Sequence, residues 1–307
     1  MKNKGNIFVF IKLILLFSVS YLLYLQLSRV RIADFWNIKL YHPSYFILSF
    51  LLLFINWGLE WLKWKKTIVI IQPIVPLKTN FLAFMAGIAT GLVTPNMLGN
   101  FIGRIYYYKR EFRSSIILLT SLSNFSQFFA SIFFGLMSLM ILNDSPWGIN
   151  LYLVNSLLAV FILFILFFYF RFEKWRWKYL LKNKYYIKFI ELLKLDTKFR
   201  LNVLGISITR HFIFTLQFWL MFNAFEDALN FDTFLWIWQI FLWTTLVPSL
   251  WFGKLVIRES IALIVLGSVG FGQVEILTSS VLIWIVNLAI PALLSIIICK
   301  QNKQELE

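Results

Sequence analysis

The strongest constraint on this chain is a break in an apolar run. Residues 80–113 read as a hydrophobic segment interrupted by Thr94, Pro95 and Asn96 and followed by Gly99, Gly103 and Arg104. A helix that crosses a bilayer needs about 20 apolar residues, because hydrocarbon offers nothing to a free backbone N–H or C=O. Pro95 cannot donate a helical hydrogen bond, and the glycines at 87, 91, 99 and 103 let backbone approach backbone. Such a segment is tolerated at membrane depth only where protein buries it or where it lines a polar cavity. Thr94 and Pro95 read as the N-cap and first residue of a new half-helix, whose positive dipole end would lie inside the membrane. The plain alternative is a Pro-kinked spanning helix without a ligand.

Composition places that break in a membrane protein. Hydrophobic residues make up 60% of the 307, aromatics make up 19%, and the mean hydropathy is +0.77. A soluble domain carries roughly half apolar residues, mostly in periodic patterns. Twenty-nine Lys and Arg against 14 Asp and Glu give a net charge of +15. In a polytopic chain this excess reads as topology and attraction to anionic lipid, not as nucleic-acid binding. One cysteine, Cys299, leaves no intrachain disulfide and no thiolate cluster, and His42 and His211 are the only histidines. No cofactor is expected.

Residues 7–25 form a first apolar span behind Lys2 and Lys4, and the second starts after Pro43 and runs over 45–62. Glu60, Trp61, Lys63, Trp64, Lys65 and Lys66 then read as an interfacial anchor, with 67–78 an interfacial elbow holding Pro73 and Pro76. Spans follow at 114–142, 150–170, 201–225 and 274–299. Residues 171–200 hold ten Lys and Arg, three acids and several Trp and Tyr, the pattern of a basic amphipathic helix on an anionic leaflet. The apolar run 234–267 is broken at Pro248 and Gly253.

Charge bias chooses between two topologies, since Lys and Arg belong in the cytoplasm near span ends. If both broken runs cross fully, Arg104, Lys109, Arg110 and Arg113 fall outside and the charge-poor turn at Asp144 falls inside. If both are re-entrant, those bases, the 171–200 segment and both termini are cytoplasmic, with Asp144, Glu226, Asp227 and Asp232 outside. The second arrangement leaves only Arg29, Arg31 and Lys39 on the wrong side. The expected fold is therefore an all-α polytopic membrane protein forming one transmembrane domain over 1–307. It has about six spanning helices plus two re-entrant, Pro-broken hairpins, at 80–113 and 234–267, in an inverted-repeat arrangement.

Arg104, Arg210, Lys254 and Arg258 are cations in or beside apolar segments. Each costs about 2.5–3.5 kcal/mol at the bilayer centre on insertion scales, so either it snorkels to an interface or it serves a polar interior. Lys254 and Arg258, four apart, share a helix face, and Glu259 is expected to pair with Arg210 or Arg104. With two half-helix N-termini the cluster fits an anionic group such as a lipid phosphate. His211 reads as a hydrogen-bonded packing residue and Glu60 as a solvated anchor. No nucleophile elbow, phosphate-binding loop, dinucleotide fingerprint or zinc helix is present, and the acids avoid the apolar segments, so no enzyme activity is expected.

The stretch GLVTPNMLGNFIGR at 91–104 resembles the membrane domain of lysylphosphatidylglycerol synthases and the flippase-like family that carries this domain alone. VPSLWFGKLVIRESIALIVLG at 247–267 is similar to that family's second signature, a Pro, a Gly-rich tip and an Arg-Glu pair. The resemblance implies a lipid flippase without the soluble transferase domain. It marks Pro95, Gly99 and Arg104 in the first hairpin and Pro248, Gly253, Arg258 and Glu259 in the second. Met97 stands where the family often has Arg, Asn100 where it usually has Glu, and Lys254 where it is usually small.

These readings converge on translocation of an anionic phospholipid or polyprenyl-phosphate across a bacterial cytoplasmic membrane. The expected substrate-binding residues are Thr94, Pro95, Gly99, Asn100, Arg104, Arg210, Pro248, Gly253, Lys254, Arg258 and Glu259. The expected partners are membrane lipids, with a second copy or a separate lipid-modifying enzyme left open. An ion-coupled solute transporter and a non-transporting membrane partner of a lipid or glycan enzyme are the alternatives. A lateral opening to the bilayer favours lipid, a closed vestibule favours solute, and tightly packed hairpins favour the partner role.

Overall fold

A computed structural model describes residues 32–92, 94, 99–142, 151–171, 195–226, 231–247 and 253–304, together with Tyr21 and Tyr24. Within them every regular element is helical. A short α1 (Ile32–Trp36) precedes α2 (Pro43–Ile71), α3 (Leu77–Leu92), α4 (Gly99–Tyr106), α5 (Arg110–Leu142) and α6 (Leu151–Arg171). Then come α7 (Thr197–Asn223), α8 (Asp232–Leu246), α9 (Gly253–Gly267) and α10 (Gln273–Trp284). A π-helical segment, Ile285–Ala289, joins α10 to α11 (Ile290–Gln304). Four of these stretches are long and apolar enough to cross a membrane: α2, α5, α7 and the continuous rod Gln273–Cys299. The chain is an all-α membrane protein.

α2 departs most from expectation. Its helix does not stop near residue 62 but continues to Ile71, 29 residues or about 43 Å. Asn56, Glu60, Lys63 and Thr67 recur at spacings of four and three, so they form a polar stripe along one face of an apolar rod. Lys63 and Thr67 are buried there. The elbow contracts to the few residues between α2 and α3.

α3 and α4 form a tight antiparallel hairpin. Gly99 lies against Thr90 and Gly103 against Ala86, where a Cβ would stand 2.1 Å from the Thr90 carbonyl oxygen or 2.3 Å from that of Ala86. Small residues four apart let two helix backbones touch, the usual means of helix association in lipid. Thr90 Oγ1 sits 2.7 Å from the Ala86 carbonyl and 2.6 Å from that of Gly99, stitching one arm to the other. Thr94 accepts from the Gly99 N–H at 2.6 Å and donates to the Thr90 carbonyl at 3.0 Å. The described second arm thus begins at Gly99, with Thr94 serving an N–H five residues on; Pro95 lies outside the described residues. α3 has 16 residues, about 24 Å, short of a hydrocarbon core about 30 Å thick.

The second broken run resolves into α8 and α9, 15 residues each and packed on one another. Gly135 of α5 meets Leu242 of α8 so closely that a Cβ would lie 2.4 Å from the leucine Cβ, and Ser138 Oγ donates to the Leu235 carbonyl at 2.6 Å. Phe218, Met221, Phe222, Ile237, Ile240, Ile261 and Leu266 make a core joining α7, α8 and α9. A second core of Trp64, Ile68, Ala83, Phe84 and Ile116 joins α2, α3 and α5.

The π segment has a local cause. Pro291 has no N–H for the carbonyl of residue 287, and its ring crowds that carbonyl, so the helix widens by one residue there. The expected basic segment 171–200 lies mostly outside the described residues, as do the first span, the turn at Asp144, and Asp227. Arg200, counted in that segment, is instead buried in the first turn of α7. Its guanidinium donates to the Tyr169 carbonyl, and the Tyr169 hydroxyl donates back to the Arg200 carbonyl at 3.1 Å.

Candidate functional site

The polar stripe of α2 faces a cavity of about 670 Å³. α2 supplies Trp57, Glu60 and Lys63; the first hairpin supplies Phe84, Ile88, Asn100, Phe101 and Arg104. A polar row on α5, Ser121, Asn124, Gln127 and Ser131, forms the opposite wall. Arg210 of α7, residues 244–247 at the end of α8, and Asn287 of the π segment complete it. The ends of both broken runs therefore meet at one polar space.

Glu60 is the centre of its charge. Its carboxylate stands 3.0 Å from Lys63 Nζ, 3.3 Å from Arg104 Nη2 and 3.3 Å from Arg210 Nη1. The side chains of Lys63 and Arg104 are 1% and 2% exposed, that of Glu60 14% and that of Arg210 26%. Glu60 is thus no solvated anchor: the longer α2 carries it into the interior, where three cations share one carboxylate. Arg104 is held besides by aromatic faces, its Cζ 4.5 Å from the Trp64 ring centroid and 5.8 Å from that of Phe84. Gly87 makes room for this, since a Cβ there would lie 2.6 Å from Asn100 Oδ1 and 2.8 Å from Arg104 Cγ.

Neutral amides aim Arg210. Its Nε donates to Asn56 Oδ1 at 2.9 Å and its Nη1 to Gln127 Oε1 at 3.3 Å. Asn56 Nδ2 in turn donates to Asn287 Oδ1 at 2.8 Å, and Asn287 Nδ2 to the Ile283 carbonyl at 3.2 Å. This chain of amides links α2, α5, α7 and the π segment through one guanidinium. Among the buried polar atoms of the cavity lining that find no hydrogen-bond partner are Arg104 Nε, Asn100 Oδ1 and Thr244 Oγ1.

The structure sorts the residues named from the sequence into two groups. Asn100, Arg104 and Arg210 line the cavity; Thr94 and Gly99 shape the hairpin tip behind it. Arg258 and Glu259 do not line it. Arg258 Nη2 donates to Glu259 Oε1 at 2.6 Å and to the Ser280 carbonyl at 2.7 Å, so the expected pairing of Glu259 with Arg210 or Arg104 is corrected to its own neighbour. Gly253 and Lys254 begin α9, and Pro248 lies outside the described residues. His211 is buried, with Nδ1 3.3 Å from Ser131 Oγ and its ring stacked on Phe134. No three His, Cys, Asp or Glu come together as a metal site among the described residues.

Sequence reasoning missed Asn56, Gln127 and Asn287 and misjudged Glu60 and Lys63. A signal was present: Asn56, Glu60 and Lys63 fall on one helical face, as do Ser121, Asn124, Gln127 and Ser131. In a helix surrounded by lipid such a stripe has to face protein or water.

The chain is thus an all-α membrane protein whose broken runs contribute to one cation-lined cavity. Residues 9–295 match the lysylphosphatidylglycerol synthase TM region. The chain belongs to that family. No curated protein and no solved structure matches it.

Proposed function

We propose that this protein translocates an anionic lipid, of phospholipid or polyprenyl-phosphate type, without a covalent step. The observation that carries the reading is the cavity in which Lys63, Arg104 and Arg210 outnumber Glu60. Burying an unpaired headgroup charge costs several kcal/mol or more, and a cationic cavity inside the bilayer removes that penalty. Family membership supports a role with membrane lipids. The rim supports it too: Phe125 and Leu246 are each 37% exposed and also line the cavity, next to the exposed polar Ser121 and Asn124. A headgroup can sit inside such a mouth while its tails stay in hydrocarbon.

In this reading the hairpins are inverted repeats that enter from opposite leaflets and rock about the cavity for alternating access. The protein lies in a bacterial cytoplasmic membrane with both termini and residues 171–200 on the cytoplasmic side. Purified protein in liposomes should move labelled phosphatidylglycerol without ATP and move phosphatidylcholine more slowly, and Arg210→Ala should slow the anionic lipid selectively. Equal rates for both lipids, or none above protein-free vesicles in any ion gradient, would put the solute-transporter or partner reading first.

A further inference from the structure

We infer that Glu60 is a tethered stand-in for the substrate's anionic group, holding the cation cluster together when the cavity is empty and giving way when a phosphate arrives. The inference rests on the anionic-lipid reading and adds to it a residue that sets affinity and release.

Three features point this way. First, among the described residues Glu60 is the only acid lining the cavity, and its carboxylate meets the three cations described there, at 3.0 to 3.3 Å. Without it, Lys63, Arg104 and Arg210 would face one another at the partly buried cavity wall with no opposing charge among the described lining residues, a repulsive arrangement. Second, the donors of the cluster are not all met. Arg104 Nε is buried without an acceptor, and one carboxylate cannot satisfy two guanidinium forks and an ammonium. A phosphate, with more acceptor oxygens, can. Third, the contacts are unequal. Glu60 lies one helical turn from Lys63 on the same helix, whereas Arg104 and Arg210 reach it from α4 and α7 through single guanidinium nitrogens. Arg210 is the most exposed of the three and has amide partners that hold it in place without Glu60. An incoming phosphate can take Arg210 and the free edge of Arg104 while Glu60 keeps Lys63.

The arrangement sets specificity by exchange. A headgroup enters only if it replaces the negative charge that it displaces, so phosphate monoesters and diesters qualify. A headgroup that also bears an ammonium meets surplus cations and no uncommitted carboxylate. Return of Glu60 to the arginines then expels the headgroup and resets the site.

The test separates binding from transport. Glycerol phosphate, a soluble probe, is titrated into detergent-purified wild type, Glu60→Gln, Glu60→Asp and Arg210→Ala, with thermal midpoints recorded alongside. Glu60→Gln should bind the probe at least about tenfold more tightly, the scale of one charge-assisted contact. In liposomes the same variant should move phosphatidylglycerol more slowly, because release has lost its driver. Glu60→Asp, whose shorter arm loosens the arginine contacts and keeps the charge, should bind more tightly by a smaller factor; it carries the test if Glu60→Gln does not fold. Unchanged or weaker probe affinity in a folded Glu60 variant overturns the inference even if wild type moves lipid. Tighter probe binding with no lipid movement by wild type leaves the inference standing as an anion site and removes the lipid-transport reading.

Discussion

Asn56 Nδ2 donates to Asn287 Oδ1 at 2.8 Å, joining α2 to the π segment, and the same amide accepts from Arg210 Nε at 2.9 Å. A single side chain thus couples a helix defect to the orientation of the cavity's most exposed cation. Asn56→Leu keeps the volume and removes both bonds. A hydrogen bond to a charged group contributes about 1.5–3 kcal/mol, so transport of anionic lipid should fall by about tenfold or more. Because the residues act as one chain, Asn56→Leu with Asn287→Leu should be little worse than Asn56→Leu alone. Liposome transport rates check this; additive losses would separate the two amides.

Arg258 and Arg210 should differ in kind. Arg258 is bound to Glu259 and to the Ser280 carbonyl away from the cavity, so Arg258→Ala leaves a buried carboxylate uncompensated. The expected loss is about 3–5 kcal/mol of stability, read as a lower thermal midpoint and lower yield. Arg258→Met combined with Glu259→Leu should recover much of it. Arg210→Ala should hold its midpoint and lose transport.

The hairpin glycines give a steric prediction with internal controls. Gly103→Ala would place a Cβ 2.3 Å from the Ala86 carbonyl oxygen, backbone that cannot swing aside. It should destabilise by about 1–3 kcal/mol and shift Arg104, one residue on. Gly58 and Gly205 have nothing within 4 Å of their added Cβ. At those two helical positions alanine should be neutral or stabilise by about 0.5–1 kcal/mol. Thermal midpoints of the three variants in one detergent decide it.

Glu226, beyond the end of α7, should make stability depend on pH. Burial, and then the nearby charge of Glu275, hold its pKa above the ordinary glutamate value. A carboxyl whose folded pKa is raised contributes its stability below the unfolded pKa and loses it as pH rises through the folded value. The protein should therefore be more stable just below the ordinary glutamate pKa than at neutral pH as far as this group is concerned. Glu226→Gln should raise the midpoint at pH 7 and change it little at pH 4. A midpoint that falls at pH 7 in this variant would contradict the assignment.

Much of the fold was legible in the sequence, for one reason: in hydrocarbon every backbone polar group has to be satisfied within the chain, so apolar runs become helices and Pro or Gly breaks stand out. Both broken runs, the spans at 114–142 and 201–225 and the last span emerged this way, within a few residues of α5, α7 and the Gln273–Cys299 rod. The end of α2 did not. Glu60, Lys63, Lys65 and Lys66 look like an interface because charge usually marks one, and no local rule distinguishes an anchor from a polar stripe buried by neighbouring helices.

The site divides along the same line. That Arg104 and Arg210 are costly in an apolar segment is a property of each residue and its immediate neighbours, and the sequence alone determined it. That both reach Glu60, while Arg258 turns to Glu259 and Ser280, depends on how α2, α4 and α7 cross and how α9 lies on α10. Only the tertiary structure decided those partners, because an ion pair forms over a few ångströms of space and hydropathy carries no record of which distant side chain will stand there.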